Sequence, residues 1–353
     1  MGRQEVAPQK RKEVPQTNEL KVAKGSSLGL LVVVTVWFSS SILFNVTAAM
    51  LLRHLPDSED MTIIELTVTV LVGVLTLPPR GLRLRPVGGA KSLPGSMAMG
   101  FLHLCNCRSF VYSLQFIPTS LAQTIRATNP VWVVAITSML GQTYGLPVLS
   151  SLVPLVGGFA LAVGAEPSGL ARPQGILAAL VSANAQVAVN LLGRRRLAQV
   201  HDAADKSARP HAFELQFTSC MFALCTLFPI WLWGGGMARL MGHYAVVGEE
   251  VRNRILFLSA TDGLLYFVEQ SASFAALQSF RPLTFAVIDT LRRLCIVVMA
   301  GFWMQGTALT VSRSLGVLLV LTGGIWFAYT RDQEDRRSQC EHQDQLRLRE
   351  KRE

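Results

Sequence analysis

Long apolar runs separated by short polar segments dominate this chain of 353 residues. An α-helix needs about 20 apolar residues to cross the hydrocarbon of a bilayer. Because the runs lack the alternation of a strand, and because backbone groups in lipid must bond to one another, we predict helices. The ten predicted spans are Leu28–Leu51, Thr62–Pro79, Leu93–Phe116, Thr119–Leu140, Leu146–Gly164, Ile176–Leu192, Phe213–Trp233, Ile255–Leu277, Leu283–Met304 and Ala308–Tyr329.

The composition and the placement of charge favour an integral membrane protein. Half of the residues are hydrophobic and 16% are charged, with a mean hydropathy of +0.36. The net charge of +10 is concentrated before the first span, in alternate loops and after the last span. This is the positive-inside pattern, so we predict contact with a lipid bilayer, not with nucleic acid. The two expected cytosolic tails are residues 1–26 and 331–353.

An internal repeat relates two parts of the chain. The same 166 residues separate Arg126 from Arg292 and the glycine pair Gly157–Gly158 from Gly323–Gly324. Five helices per copy is an odd number, so the copies would cross the membrane in opposite directions, as in carriers built from inverted repeats. The alternative is that two glycine-rich membrane helices resemble one another by composition alone.

The repeat and the span count together define the predicted architecture. We expect an all-α polytopic membrane protein with ten transmembrane helices in two inverted five-helix repeats. The first repeat covers residues 27–168 and the second covers residues 169–330. Carriers of this kind hold their substrate near the bilayer midplane, where the repeats meet.

Three arginines, Arg126, Arg292 and Arg293, lie inside apolar spans. A cation at the bilayer centre costs about 2.5–3.5 kcal/mol on insertion scales, so such residues normally face a cavity or a partner. The guanidinium group is always charged, and its planar fork fits phosphate or carboxylate. We therefore predict an anion site with these arginines as ligands. Asp289, one turn before the pair, either neutralises one arginine or forms a structural clamp with it.

Polar side chains on two predicted helices extend this site. Gln123 and Asn129 flank the arginine of the fourth span at helical spacing, which predicts one polar face, and Pro130 is expected to kink the helix. In the eighth span, Tyr266 and Glu269 share a face. Tyr266 would either bind a phosphate or pack against a neighbour, and Glu269 would accept a proton or pair with an arginine.

Three other polar residues, Glu65, His103 and Arg108, either face the cavity or extend to a membrane interface. Gln186 and Asn190, one turn apart in the sixth span, are expected to join helices more than to bind a ligand. Asp262 shares the face of Tyr266 and Glu269 and would accept a proton or pair with an arginine. The six cysteines show no disulfide framework. We expect no metal site and no cofactor.

Several segments resemble the triose-phosphate translocator branch of the drug/metabolite transporter superfamily, which also includes nucleotide-sugar transporters. They are Ser-Leu-Ala-Gln-Thr-Ile-Arg-Ala-Thr-Asn-Pro at 120–130, Leu-Val-Pro-Leu-Val-Gly-Gly at 152–158, and Pro282 through Arg293. The resemblance implies ten helices in two inverted halves and exchange of organic phosphates or nucleotide sugars. It also implies that Arg126, Arg292 and Arg293 replace the basic phosphate ligands of the family, while the family tyrosine of the eighth helix falls on Glu269.

We therefore predict a secondary transporter, an antiporter of organic phosphates, phosphorylated sugars or nucleotide sugars that works by alternating access with a counter-substrate. The alternative is a non-transporting membrane scaffold or receptor that retains the carrier fold, with its arginines bound to internal carboxylates. An enzyme is disfavoured because no nucleophile–base or metal constellation stands out. The short N-terminal tail favours the Golgi or the endoplasmic reticulum over a plastid.

Overall fold

The computed structural model describes residues 27–55, 57–76, 93–139, 141–164, 172–201, 212–280, 282–304 and 311–350. In these ranges the chain forms twelve helices and no strand. They are α1 (Ser27–Leu52), α2 (Ser58–Thr76), α3 (Leu93–Leu114), α4 (Thr119–Arg126), α5 (Asn129–Met139), α6 (Leu146–Gly164), α7 (Pro173–His201), α8 (Ala212–Trp233), α9 (Gly236–Val246), α10 (Glu249–Ser279), α11 (Pro282–Met304) and α12 (Val311–Glu350).

The fourth predicted span is two helices, not one. Pro130 has no N–H with which to bond the carbonyl of Arg126, so the helical ladder is interrupted there. The amide of Ala127 bonds instead to the carbonyls of Gln123 at 2.9 Å and Thr124 at 3.1 Å, which closes α4 in a tight turn. The predicted kink is therefore a break just after the arginine, and α5 starts as a separate helix at Asn129.

The charged segment 331–353 was expected to be a separate tail, but α12 continues through Glu350. Its first part packs on the protein. Glu334 accepts a hydrogen bond from the backbone of Gly145, and the guanidinium carbon of Arg331 lies 4.6 Å from the ring centre of Tyr144. The predicted tail at 1–26 lies outside the described residues.

By length and composition, four described helices can cross a membrane: Leu28–Leu52, Pro173–Arg196, Phe213–Trp233 and Ser314–Glu334. The apolar helix Leu146–Ala162 is shorter. Other predicted spans carry the charged residues of the site or end next to undescribed residues, and the short helix α9 was not predicted. The chain is thus a membrane protein, whereas the layout of ten spans in two repeats stays a prediction.

Helices α6 and α12 approach most closely where glycines lie. A Cβ atom added to Gly158 would stand 2.6 Å from the carbonyl oxygen of Gly316, and one added to Gly316 would stand 2.7 Å from the amide of Ala162. One added to Gly323 would stand 2.8 Å from the amide of Leu155. As the numbers rise along α6, their partners fall along α12, so the two helices are antiparallel.

The remaining helices surround a polar centre. Two side-chain pairs join α1 to α10 in antiparallel register: Ser41 with Glu269, and Thr47 with Asp262. Helix α2 packs between α10 and α8, α3 packs on α7 and α8, and α4 packs on α7 and α11. Because the polar side chains of the centre come from several helices, the site described next depends on this packing.

Candidate functional site

A central cavity is lined by residues from seven helices. Helix α1 contributes Phe44 and Asn45; α2, Glu65; α3, Asn106, Cys107 and Phe110; α4, Gln123 and Arg126; α7, Gln186 and Asn190; α10, Tyr266, Glu269, Gln270 and Ser273; and α11, Phe285, Asp289, Arg292 and Arg293. The structure thus brings the three predicted arginines together, although the first is far from the other two in sequence.

Arg292 and Arg293 are both neutralised by carboxylates. The Nη2 atom of Arg292 donates to Asp289 at 2.7 Å, and its Nη1 atom donates to Glu269 at 2.8 Å. Arg293 donates from Nε to the other oxygen of Asp289 at 3.0 Å. The guanidinium carbon of Arg292 also lies 4.9 Å from the ring centre of Trp37. Asp289 therefore bridges the two arginines, which is the clamp alternative raised by the sequence.

Arg126 lies in a different electrostatic environment. Its Nη2 atom donates to the amide oxygens of Asn106 at 3.0 Å and Gln186 at 3.1 Å. The guanidinium carbon lies 4.4 Å from the ring centre of Phe110. The buried Nε atom has no hydrogen-bond partner, and Arg126 has no carboxylate within ion-pair distance among the described residues. Neutral dipoles and an aromatic face thus hold a guanidinium group whose charge is uncompensated.

A chain of hydrogen bonds through polar side chains of α4 and α1 links Arg293 to Glu269, the carboxylate that binds Arg292. Arg293 donates to the oxygen of Gln123 at 3.4 Å, and Gln123 donates to the oxygen of Asn45 at 2.7 Å. Asn45 in turn donates to the carbonyl of Ser41 at 2.7 Å, and the Ser41 hydroxyl donates to Glu269 at 2.8 Å. Gln123 therefore lines the cavity within the hydrogen-bond network of Arg292 and Arg293, and its role as a substrate ligand stays a prediction.

Tyr266 and Glu269 line the cavity in different roles. Glu269 pairs with Arg292, which agrees with one of its two predicted roles. Tyr266 is hydrogen-bonded to Cys107 at 2.7 Å and to His103 at 2.9 Å. His103 therefore helps to hold the hydroxyl group of Tyr266 in place. Asp262 was predicted on the same face, but it is absent from the lining and accepts a bond from Thr47 at 3.1 Å.

Asn129 is not among the residues that line this cavity, so its predicted part in the site stays a prediction. The expectation assumed one continuous helix through Arg126. The chain instead turns at residues 127–128, and Asn129 starts α5. Its buried side-chain oxygen has no hydrogen-bond partner in the described part of the chain.

Sequence reasoning missed Asn106, Ser41 and Trp37, which touch the arginines directly. Asn106 is 3% exposed inside an apolar helix, and a buried amide in such a helix is itself a signal for a polar site. Gln186 was assigned to helix–helix contact, yet it lines the cavity and binds Arg126. Ser41 and Trp37 carry no comparable signal, because both residue types are common in membrane helices.

Arg108 belongs to a second polar cluster near the start of α2, where it pairs with Glu59. In the same cluster Asp60 accepts hydrogen bonds from the indole of Trp231 at 2.7 Å and from Arg239 at 2.9 Å. The hydrogen bond to Asp60 raises the pKa of Arg239, which lies outside the predicted spans. These contacts join α2, α3, α8 and α9, so Arg108 is not a cavity residue.

Metal ligation is not part of the site as far as the described residues reach. They contain no group of three or more His, Cys, Asp or Glu side chains placed to hold a metal ion. All six cysteines are free.

Comparisons with known proteins identify relatives of this chain. Residues 28–329 match the model of the Triose-phosphate Transporter family. Among curated relatives, a xylulose 5-phosphate/phosphate translocator of Arabidopsis thaliana is 24% identical over 79% of this chain. A phosphoenolpyruvate/phosphate translocator 3 of Oryza sativa subsp. japonica is 27% identical over 88%, and a non-green-plastid triose phosphate/phosphate translocator of Brassica oleracea var. botrytis is 24% identical over 88%.

Two further comparisons concern the share of each relative that this chain spans and its likeness to a solved structure. The chain spans 65% of the first of these relatives, 75% of the second and 74% of the third, all three of which are named chloroplastic. One crystal structure matches with a TM-score of 0.51 at 14% identity, covering 85% of this chain and 96% of the solved one. At that identity the likeness concerns the fold alone.

Proposed function

This chain belongs to the Triose-phosphate Transporter family, and we propose that it is an antiporter that exchanges organic phosphates across a membrane by alternating access. The observation that carries the proposal is Arg126, a buried guanidinium in the cavity without a carboxylate partner among the described residues. A phosphate oxygen placed against it would supply the missing negative charge. Arg292 and Arg293 would complete the site from the opposite helix.

The charges give a reason for obligatory exchange. Three arginines face two carboxylates that pair with them, Glu269 and Asp289, which leaves one positive charge. An uncompensated cation is costly when it is sealed inside the membrane, so the empty carrier would close poorly. An anion on Arg126 removes this cost in either direction, which couples the influx of one phosphate to the efflux of another.

The two-repeat architecture forms part of the proposal. The antiparallel packing of α6 against α12 is the relation expected between the last helices of two inverted halves. We place the halves at residues 27–168 and 169–330, with Arg126 and Arg292 at equivalent positions. The pairing of Arg293 with Gln123 supports a site located where these halves meet.

For the substrate we propose small phosphorylated metabolites exchanged against inorganic phosphate. The relatives carry the names of translocators for xylulose 5-phosphate, phosphoenolpyruvate and triose phosphate. Nucleotide sugars, which the sequence reading includes, are the alternative cargo. The relatives' chloroplastic names do not favour the predicted Golgi or endoplasmic-reticulum location. Imaging of the tagged full-length chain tests that location directly.

The decisive experiment is counter-exchange in liposomes. The full-length protein is reconstituted into vesicles loaded with inorganic phosphate, and uptake of labelled phosphate, phosphoenolpyruvate, sugar phosphates and nucleotide sugars is measured. We expect uptake only with a loaded counter-anion. Uptake that is independent of internal anion would exclude antiport. A protein that neither exchanges nor is thermally stabilised by any of these compounds would support the scaffold alternative.

A further inference from the structure

Glu65 is a buried cavity carboxyl that the exchange mechanism does not use. It lies on α2, is 1% exposed and lines the cavity together with Arg126. Its Oε2 atom has no hydrogen-bond partner, and no arginine, lysine or histidine forms an ion pair with it among the described residues. The other two cavity carboxyls, Glu269 and Asp289, each bind an arginine directly.

The groups around Glu65 make a negative charge there costly. The titratable and charged neighbours are Cys107 on α3, Arg126 on α4, Cys220 on α8, and Asp262, Tyr266 and Glu269 on α10. His103 lies behind Tyr266. Helix α1 contributes the uncharged Asn45 to the cavity, and Arg239 of α9 is bound to Asp60 at the start of α2. Arg126 is therefore the one cation of this set. A bound anion would pair with its guanidinium group, which would then no longer offset a negative charge on Glu65.

A buried carboxylate without a cationic partner costs several kcal/mol, whereas the neutral acid can donate one hydrogen bond. A phosphate on Arg126 would face such a donor. We infer that Glu65 carries a proton in the closed cavity and donates it in a hydrogen bond to the bound anion, so that each anion occupies the site together with one proton. No covalent bond changes, and the proton stays shared between Glu65 and the anion. This inference rests on the proposed exchange function.

The first test needs no transport. Infrared difference spectra of the full-length wild type minus Glu65→Gln, in lipid nanodiscs at neutral pH, should contain the C=O band of a protonated carboxyl that shifts in D₂O. Asp262→Asn should keep this band, because Asp262 is a second carboxyl next to the site, buried among the described residues, whose Oδ2 atom has no hydrogen-bond partner. Carboxylate bands in its place would overturn the inference. If Glu65→Gln does not fold, the spectrum of the Asp262→Asn variant is used instead. A C=O band of a protonated carboxyl that remains in this variant supports a protonated Glu65, and its loss contradicts it.

The second test measures phosphate exchange against pH. Glutamine keeps a donor but cannot ionise, so the ratio of the Glu65→Gln rate to the wild-type rate should rise about tenfold per pH unit above the titration of Glu65. Taking the ratio cancels the titration of phosphate itself. The exposed Glu250, changed to glutamine, is the control with a constant ratio. A constant ratio for Glu65→Gln would overturn the inference. If the wild type shows no exchange, the proposed function fails, while the infrared band still reports on Glu65.

Discussion

Arg126 and Arg292 lie 166 residues apart, at positions that the sequence predicts to be equivalent, yet their surroundings differ. Two carboxylates bind Arg292, whereas two amide oxygens and an aromatic ring hold Arg126. Both side chains are buried, at 7% and 9% exposure. Burial therefore does not separate the two arginines, but the charge of their partners does.

The difference suggests a division between the two sides of the cavity. On the α11 side, the arginines and carboxylates form a nearly neutral network. Burying such paired charges in a membrane costs less free energy than burying them separately. On the α4 side, amide dipoles orient a guanidinium without cancelling its charge, so attraction for an anion is preserved. A site built only from neutralised arginines would lack affinity, and one built only from free arginines would be costly to fold. The following changes test this division.

The largest effect is expected when the free charge is removed. Arg126→Ala should lower phosphate exchange roughly 1,000-fold, equivalent to about 4 kcal/mol, because a buried charge-assisted contact is lost. Thermal stability should change little, since no buried carboxylate is left unpaired. Exchange in proteoliposomes and thermal unfolding in detergent provide the two readouts.

Exposed Arg252 on α10, changed to alanine, is the matched control for this variant. Arg126→Lys keeps the charge and removes the planar fork, so it measures the contribution of bidentate geometry. Normal exchange by Arg126→Ala would remove this residue from the site.

The next effect concerns the neutral network. Asp289→Asn leaves Arg293 without a carboxylate, and breaking a buried pair in this way should cost about 3 kcal/mol of stability. Arg292 would retain Glu269. We expect a lower unfolding temperature that added inorganic phosphate restores more strongly than in the wild type, because the anion can replace the lost charge. Equal stabilisation of both proteins by phosphate would contradict this account.

A smaller effect is expected from a substitution that gives Arg126 a carboxylate partner, as Arg292 has. Asn106→Asp places a carboxylate where an amide oxygen now lies 3.0 Å from Arg126. The ion pair should compete with substrate and lower exchange about 30-fold, or about 2 kcal/mol, while the protein stays folded. Initial rates over a range of phosphate concentrations should show mainly a higher KM. Unchanged kinetics would mean that the charge of Arg126 does not attract the substrate.

The sequence predicted the helices well because apolar length and helical backbone bonding are local requirements in a membrane. Helix α6 has the predicted bounds, whereas α12 extends past the charged boundary. The three arginines were found because charge in an apolar run is costly. Which arginine is neutralised was not predictable, since Glu269 and Asn106 reach them from distant helices. The break between α4 and α5 was predicted only as a kink at Pro130, which lacks the N–H that would continue the helix.

The smallest effect concerns the glycine pairs that accompany the arginines. Gly157 and Gly323 match in sequence, but a Cβ atom on Gly323 would approach the backbone of Leu155 to 2.8 Å, whereas one on Gly157 meets nothing within 4 Å. Gly323→Ala should separate α12 from α6 and cost about 1 kcal/mol of stability, with Gly157→Ala as the near-neutral control. Comparison of their unfolding temperatures checks this. As they stand, the two backbones leave no room for a methyl group at Gly323. Equal unfolding temperatures would therefore contradict this expectation, because they would mean that the helices move apart without loss of stability.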